Sequence, residues 1–449
     1  MGQDRCMFSP DLSIMRLLLF CLFVLTLGGC HDTSSTQQRL PGDASQPATA
    51  VQSTATGFTL LRHGKPYFIE GAGGVRYFDR LKACGGNSIR IWDDNDAERV
   101  LDEAQKLGLT VMLGLWVERE TEGFDYNNGE AIQKQQERIR QTVLKYRNHP
   151  ALLMWCVGNE VGLYATNLHA YDEMNRLMQL VHKLDPEHPV TTALSLDSSR
   201  EVWLLRERCP DLDILSVNVY GEIDKLPQRL QEGGWTGPYI FSEYGAKGFW
   251  GESGTSPWVT PVEPTSQEKY DFVKQAYKQH IGSRPPKCLG SYFFYWGNKQ
   301  EETSTWFSAF DETGRESAMV GLMQELWSGT SPSNRAPIIK ALRVNGQSMP
   351  FREFTASSTL QLADVLATDP DGDTLTYHWE IKPQAQQKAH FMGTAMPAIE
   401  GLTRSPINGQ RLSFVLPSTP GPYRLFVFAY DQHNHVATAN LTFRVVKGD

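Results

Sequence analysis

Eight short apolar runs, alternating with segments whose apolar residues recur every three or four positions, constrain this chain more than any other feature. The runs are Tyr67–Gly71, Ser88–Trp92, Thr110–Trp116, Leu152–Val157, Val190–Leu194, Ile214–Tyr220, Tyr239–Glu243 and Gly290–Trp296. Between them, Ala97, Val100, Leu101, Ala104 and Leu107 share one helix face, as do Leu168, Tyr171, Met174, Met178 and Val181. A last helix is expected from Ser317 to Trp327. Short buried runs that alternate with amphipathic helices are βα units of a parallel sheet. Eight of them in roughly 270 residues predict an α/β fold, a closed (β/α)8 TIM barrel whose site lies at the C-terminal ends of the strands. A doubly wound sheet would place a phosphate-binding glycine fingerprint after the first strand. Gly71-Ala72-Gly73-Gly74 is glycine-rich but lacks that spacing.

The barrel is expected over 58–329. The turn residues Thr330-Ser331-Pro332-Ser333-Asn334 then mark a boundary. Over 336–449 the helical period disappears and short alternating strands such as Tyr377–Ile381 and Tyr423–Tyr430 predict a small all-β immunoglobulin-like sandwich. Its segment Ala367–Leu375, with Asp369, Asp371 and Asp373, resembles a loop of cadherin-like and PKD-like modules. Those carboxylates suit Ca²⁺ chemically, but the plainer reading is a surface turn. Upstream, 31–57 has almost no large apolar residue and is expected to be a flexible tether. Within 1–30, Met15-Arg16, the apolar run Leu17 to Leu27 and Leu27-Gly28-Gly29-Cys30 read as an export signal. Its end resembles a bacterial lipobox, which implies lipidation at Cys30 and a protein of the cell envelope, held at a membrane by that anchor. Of seven Cys, Cys84, Cys156, Cys209 and Cys288 are scattered without metal-ligand spacing and read as buried thiols. A net charge of −8 without a Lys/Arg cluster argues against a nucleic-acid partner.

Two carboxylates stand where a barrel keeps its chemistry: Glu160 just past the fourth run and Glu243 at the end of the seventh. Either alone could be a cap or an ion-pair partner. Their surroundings are more specific. Asn148-His149-Pro150 through Gly158-Asn159-Glu160 resembles the acid/base segment of family 2 glycoside hydrolases, in the clan A retaining enzymes. Tyr239-Ile240-Phe241-Ser242-Glu243-Tyr244-Gly245 resembles that family's nucleophile strand, and Asp185-Pro186 with His188-Pro189-Val190 its lead-in to the fifth strand.

The resemblance implies a retaining glycosidase acting on β-linked oligo- or polysaccharide, with Glu160 as acid/base and Glu243 as nucleophile, about 5–5.5 Å apart. It further implies that Arg90 and Tyr220 bond the nucleophile, that Asn159 meets the sugar 2-hydroxyl, and that Trp296 floors the subsite. Trp116, Glu118, Trp250, Trp258 and Trp306, on post-strand loops, are candidates for outer subsites. The chemistry requires no metal or organic cofactor. Ile91-Trp92-Asp93-Asp94 follows Arg90 where the family commonly has His-Tyr-Pro, and only the tether is expected before the barrel. Both departures favour an open, polymer-accepting cleft. A transglycosylase would share every residue named, whereas a non-catalytic polysaccharide-binding lipoprotein would have no use for the carboxylate pair.

Overall fold

The structure is a computed structural model describing residues 47–196, 198–357, 359–384, 396–404 and 409–448. The signal segment, Cys30 and the start of the expected tether lie outside those residues. The remainder of that tether is a correction. β1 (Thr49–Ser53) pairs antiparallel with β2 (Phe58–Arg62), which pairs with β3 (Lys65–Tyr67). Poverty in large side chains misled because β1 is held by its backbone. Thr49 N donates to Glu187 O at 3.0 Å, and the strand lies along β2, whose Leu60 enters the core.

Eight parallel strands follow: β4 (Ile69–Gly73), β5 (Ser88–Ile91), β6 (Thr110–Leu115), β7 (Leu152–Asn159), β8 (Val190–Ser195), β9 (Ile214–Asn218), β10 (Tyr239–Tyr244) and β11 (Cys288–Phe293). β11 pairs with β4 and closes the barrel, so no sheet edge is left open. Around it run α1 (Phe78–Ala83), α2 (Ala97–Leu107), α3 (Gly129–Tyr146), α4 (His169–Leu184), α5 (Ser199–Arg208), α6 (Leu226–Glu232), α7 (Ser266–Ala276) and α8 (Ala318–Ser328). Local chemistry sets their starts. Asn128 Oδ1 accepts from the first-turn N–H groups of α3, and Thr265 with Glu268 forms a capping box on α7.

Strand alternation splits the barrel core. Outward residues such as Val111, Leu113 and Val217 pack under the helices, while Met112, Met154, Ile214, Ile240 and Tyr292 fill the interior. Leu60 of β2 joins that interior from below, so the β1–β3 sheet plugs the N-terminal end of the barrel. Among the described residues the four cysteines, Cys84, Cys156, Cys209 and Cys288, are buried and free.

The C-terminal region is a sandwich of two sheets. One contains β12 (Glu316–Ser317), β14 (Phe351–Thr355), β16 (Thr376–Pro383), β18 (Gly421–Tyr430) and β19 (His435–Val446). The other contains β13 (Ile338–Val344), β15 (Gln361–Thr368) and β17 (Arg411–Phe414). Trp379, Leu425, Val427, Phe443, Val344 and Phe414 fill the space between them. β12 belongs to the last βα connection of the barrel yet pairs with β19, so the two regions share a sheet. Among the described residues no helix is long and apolar enough to cross a membrane.

Candidate active site

The C-terminal ends of β5, β7, β9 and β10 converge on one cluster. At the end of β7 the backbone turns sharply: Gly158 has φ 76° and Glu160 φ 54°. A Cβ at Gly158 would lie 2.5 Å from Val161 Cγ2, so that step requires glycine. Left-handed backbone at Glu160 costs on the order of 1–3 kcal/mol and persists where neighbours enforce it. Here Glu160 N donates to Ala193 O of β8 at 2.7 Å. In β10, register shifts on both sides of the strand re-aim consecutive residues, and Ser242 and Glu243 both reach the cluster.

Glu243 is 6% exposed and receives three donors. Arg90 Nη1 (2.7 Å) and Trp92 Nε1 (2.8 Å) reach Oε1, and the Tyr220 hydroxyl (2.6 Å) reaches Oε2. The pair with Arg90 is buried, and the hydrogen bonds supply the compensation that buried charges need. Arg90 is itself held by the Ser242 carbonyl at 2.7 Å and Asn159 Oδ1 at 2.6 Å. Asn218 Nδ2 then links Asn159 Oδ1 (3.1 Å) to Glu160 Oε1 (2.8 Å), so one network joins the two carboxylates. Burial first, and the charge of Glu243 second, push the Glu160 carboxyl up to about 7, against the opposing bond from Asn218. Burial and the Glu243 charge likewise raise Tyr220, which therefore stays a donor.

Five residues expected at the site thus meet: Glu160, Glu243, Arg90, Asn159 and Tyr220. Trp116 is partly exposed beside them. Arg119 stacks on its ring at 5.3 Å and donates through Nε to the Asn159 carbonyl at 3.2 Å. Trp296 is a correction. Regular alternation would leave Trp296 on the same side as Phe294, but it breaks past the end of β11, and Trp296 joins the outer core, where its Nε1 donates to Tyr77 O and its ring packs on Phe310 and Trp327. Phe294 takes the inward place, 5.7 Å from Trp92 and 5.9 Å from Tyr220. Trp306 is a second correction: it is 1% exposed, donates to Lys247 O and lies behind the site rather than in it. Trp258 packs on Phe351 of the sandwich. Trp250 is half-exposed and stands 5.2 Å from Tyr220.

Sequence reasoning missed Trp92 and Asn218. Trp92 lies within the departure from the family pattern, and it leans on Gly73, where a Cβ would come within 2.7 Å of its ring. Asn218 sits two residues before Tyr220 on the alternating face of β9, a signal that was available. In the sandwich, the carboxylate oxygens of Asp369 and Asp373 lie within 4.8 Å of one another and of Asp431, whereas Asp371 turns to Arg335 at 2.8 Å.

A closed parallel barrel with two linked carboxylates and aromatic side chains at its C-terminal end is the architecture in which retaining glycosidases of the TIM-barrel class place their carboxylate pair. The sequence pattern described as "Glycosyl hydrolases family 2, TIM barrel domain" matches residues 76–310, just over half of the chain. The chain belongs to glycoside hydrolase family 2. It is 24% identical over 222 residues to a β-glucuronidase of Chlorocebus aethiops, covering 42% of this chain and 32% of that protein. A β-galactosidase of Bacteroides ovatus is 26% identical over 203 residues, covering 37% and 23%. The chain thus spans about a third or less of the length of these relatives. The structure of Bacteroides uniformis β-glucuronidase 2, covalently bound to cyclophellitol-6-carboxylate aziridine, aligns with TM-score 0.48 and 16% identity, over 89% of this chain and 48% of that one.

Proposed function

We propose that this chain is a retaining β-glycosidase working by double displacement. The observation that carries the reading is the opposite treatment of two linked carboxylates. Glu243 receives three donors that favour its charge, while Glu160 is kept protonated to about pH 7. Glu243 attacks the anomeric carbon, the bond to the leaving oxygen breaks with its electron pair, and Glu160 gives its proton to that oxygen. The resulting glycosyl ester is opened by water. Glu160, now a carboxylate, takes a proton from that water as its oxygen attacks the same carbon and releases Glu243. Two inversions retain the β configuration. Asn159 Oδ1 is occupied by Arg90 and Asn218, which directs its amide N–H groups to the sugar 2-hydroxyl. Trp116 and Trp250 flank the mouth as stacking surfaces for neighbouring sugar units.

The names of the relatives make β-glucuronides and β-galactosides the first substrates to assay, and they favour neither a transglycosylase nor a purely binding protein. The roles of the carboxylates are tested with an activated aryl β-glycoside. Glu160→Ala should still form the intermediate but stall, and azide, which needs no base, should rescue it to a β-glycosyl azide. Glu243→Ala with azide in the vacated space should give the α product. Identical behaviour of the two variants, or normal turnover by either, would overturn the roles.

Two further readings rest on sequence. Leu27-Gly28-Gly29-Cys30 after an apolar run supports a lipid-anchored envelope protein, and Cys30→Ser should then release it from the membrane fraction. The Asp369–Asp373 loop supports kinship of the sandwich with cadherin- and PKD-like modules. A solved structure whose strand order departs from those modules would remove that kinship.

A further inference from the structure

Behind the aromatic side of the site lies a buried group of four charges drawn from both regions of the chain. Arg424 on β18 donates through Nε to Gln384 Oε1 (2.7 Å) and through Nη1 to Asn440 Oδ1 (2.9 Å). Its Nη2 reaches the Pro261 carbonyl (2.6 Å) and Glu302 Oε1 (2.8 Å). Beside it, Glu263 accepts from Lys269 Nζ (2.5 Å), Thr303 Oγ1 (2.6 Å) and Asn440 Nδ2 (2.6 Å). Two positive and two negative groups balance, and none of the four side chains is more than 6% exposed.

Pro261 and Glu263 belong to the loop after β10, Glu302 and Thr303 to the loop after β11. One nitrogen of the Arg424 fork thus touches both loops. The same guanidinium lies 5.9 Å from the centroid of Trp306, whose ring packs on Phe249 at 5.8 Å and Phe307 at 6.5 Å. Trp250 stacks on Phe307 at 6.1 Å, and both rings contact Tyr220, at 5.2 and 5.4 Å. Tyr220 in turn bonds Glu243. Long loops without secondary structure sample many arrangements unless pinned. A planar fork with fixed donor directions pins two partners at a set distance, which an ammonium on a flexible stem does not.

We propose that Arg424, from the sandwich, is a positioning residue for the sugar site: it fixes the loops after β10 and β11 against each other and thereby sets the aromatic wall beside Tyr220. For its substrate the proposal rests on the glycosidase reading; the fixing of the loops stands on geometry alone.

Arg424→Met by itself would leave Glu302 a buried charge without its cation, a change that unfolds many proteins. The paired variant Arg424→Met/Glu302→Gln removes both charges, and Trp379→Phe, in the sandwich core, serves as a control that weakens the sandwich without touching either loop. Hydrogen exchange read by mass spectrometry should quicken in residues 245–265 and 297–310 of the paired variant, and not in the control. Kinetics use whichever of 4-nitrophenyl β-D-glucuronide, β-D-galactoside and β-D-glucoside the wild type turns over. In the paired variant KM should rise at least about tenfold while kcat changes less than about threefold, because Glu243 keeps its own three donors. Arg424→Lys should fall between wild type and the paired variant. Unchanged exchange in both loops overturns the proposal, as does quickened exchange with an unchanged KM. If the wild type turns over none of the three glycosides, the glycosidase reading fails by itself, and the exchange data still decide whether Arg424 fixes the loops.

Discussion

Replacing Glu160 by Gln isolates the free energy that the fold sets against a charge at the end of β7. In the folded chain the carboxyl titrates at about 7, against 4.5 for the unperturbed group. At ~1.36 kcal/mol per unit, that difference corresponds to about 3 kcal/mol. The sign follows from proton release. Below pH 4.5 both folded and unfolded chains hold the proton, and nothing is lost. As pH rises from 4.5 towards 7 the unfolded chain gives up its proton while the folded chain keeps it, so wild-type stability declines. Above 7 the whole difference persists. Gln has the same shape and no charge, and its amide oxygen can still accept from Asn218 Nδ2. Glu160→Gln should therefore be more stable than wild type by about 3 kcal/mol at pH 8 and nearly equal to it at pH 4. With an unfolding entropy of ~2.1 cal/mol/K per residue over roughly 400 residues, the gap is about 4 °C in Tm. Glu70, raised to about 7 by burial and lying at the opposite end of the barrel, slopes both proteins alike and cancels. Calorimetric melts of both proteins at pH 4, 6 and 8 make the measurement. A gap that is the same at all three values, or absent at pH 8, would refute the account of Glu160 as a carboxyl held protonated by its surroundings.

Tyr220→Phe removes a 2.6 Å bond to a charged carboxylate, worth ~1.5–3 kcal/mol, so kcat/KM should fall roughly 10–100-fold without loss of fold by circular dichroism. The pH profile of kcat/KM should decline above about 7 as Glu160 loses the proton it must donate; activity still rising at pH 9 would contradict that role. Trp296→Leu should lower Tm while leaving KM unaltered, since the ring packs between barrel and α8. A raised KM would return Trp296 to the site.

The barrel was legible because its eight runs are buried on both faces and differ sharply from the helices between them. The carboxylates were legible because their segments resemble a known family. Errors arose where a contact depends on orientation rather than pattern. Trp296 and Trp306 follow the last strand as aromatic residues in loops should, but one turns outward where the alternation of β11 breaks and the other is covered by Arg424. No property of either residue type distinguishes such a ring from one facing sugar. Trp92 was noticed only as a departure from the family, although its indole N–H supplies one of the three donors to Glu243. β1 escaped notice because a strand that pairs through its backbone needs few large side chains.

The sheet of β1, β2 and β3 that closes the bottom of the barrel also fixes a direction. Ala48 and Thr49 are bonded to Glu187 ahead of β8, Phe58 to Pro286 ahead of β11, and Arg62 to Pro150 ahead of β7, all at the N-terminal pole. Glu160 and Glu243 stand at the other pole. Whatever the chain carries upstream of residue 47 is therefore joined at the end of the barrel remote from the carboxylates.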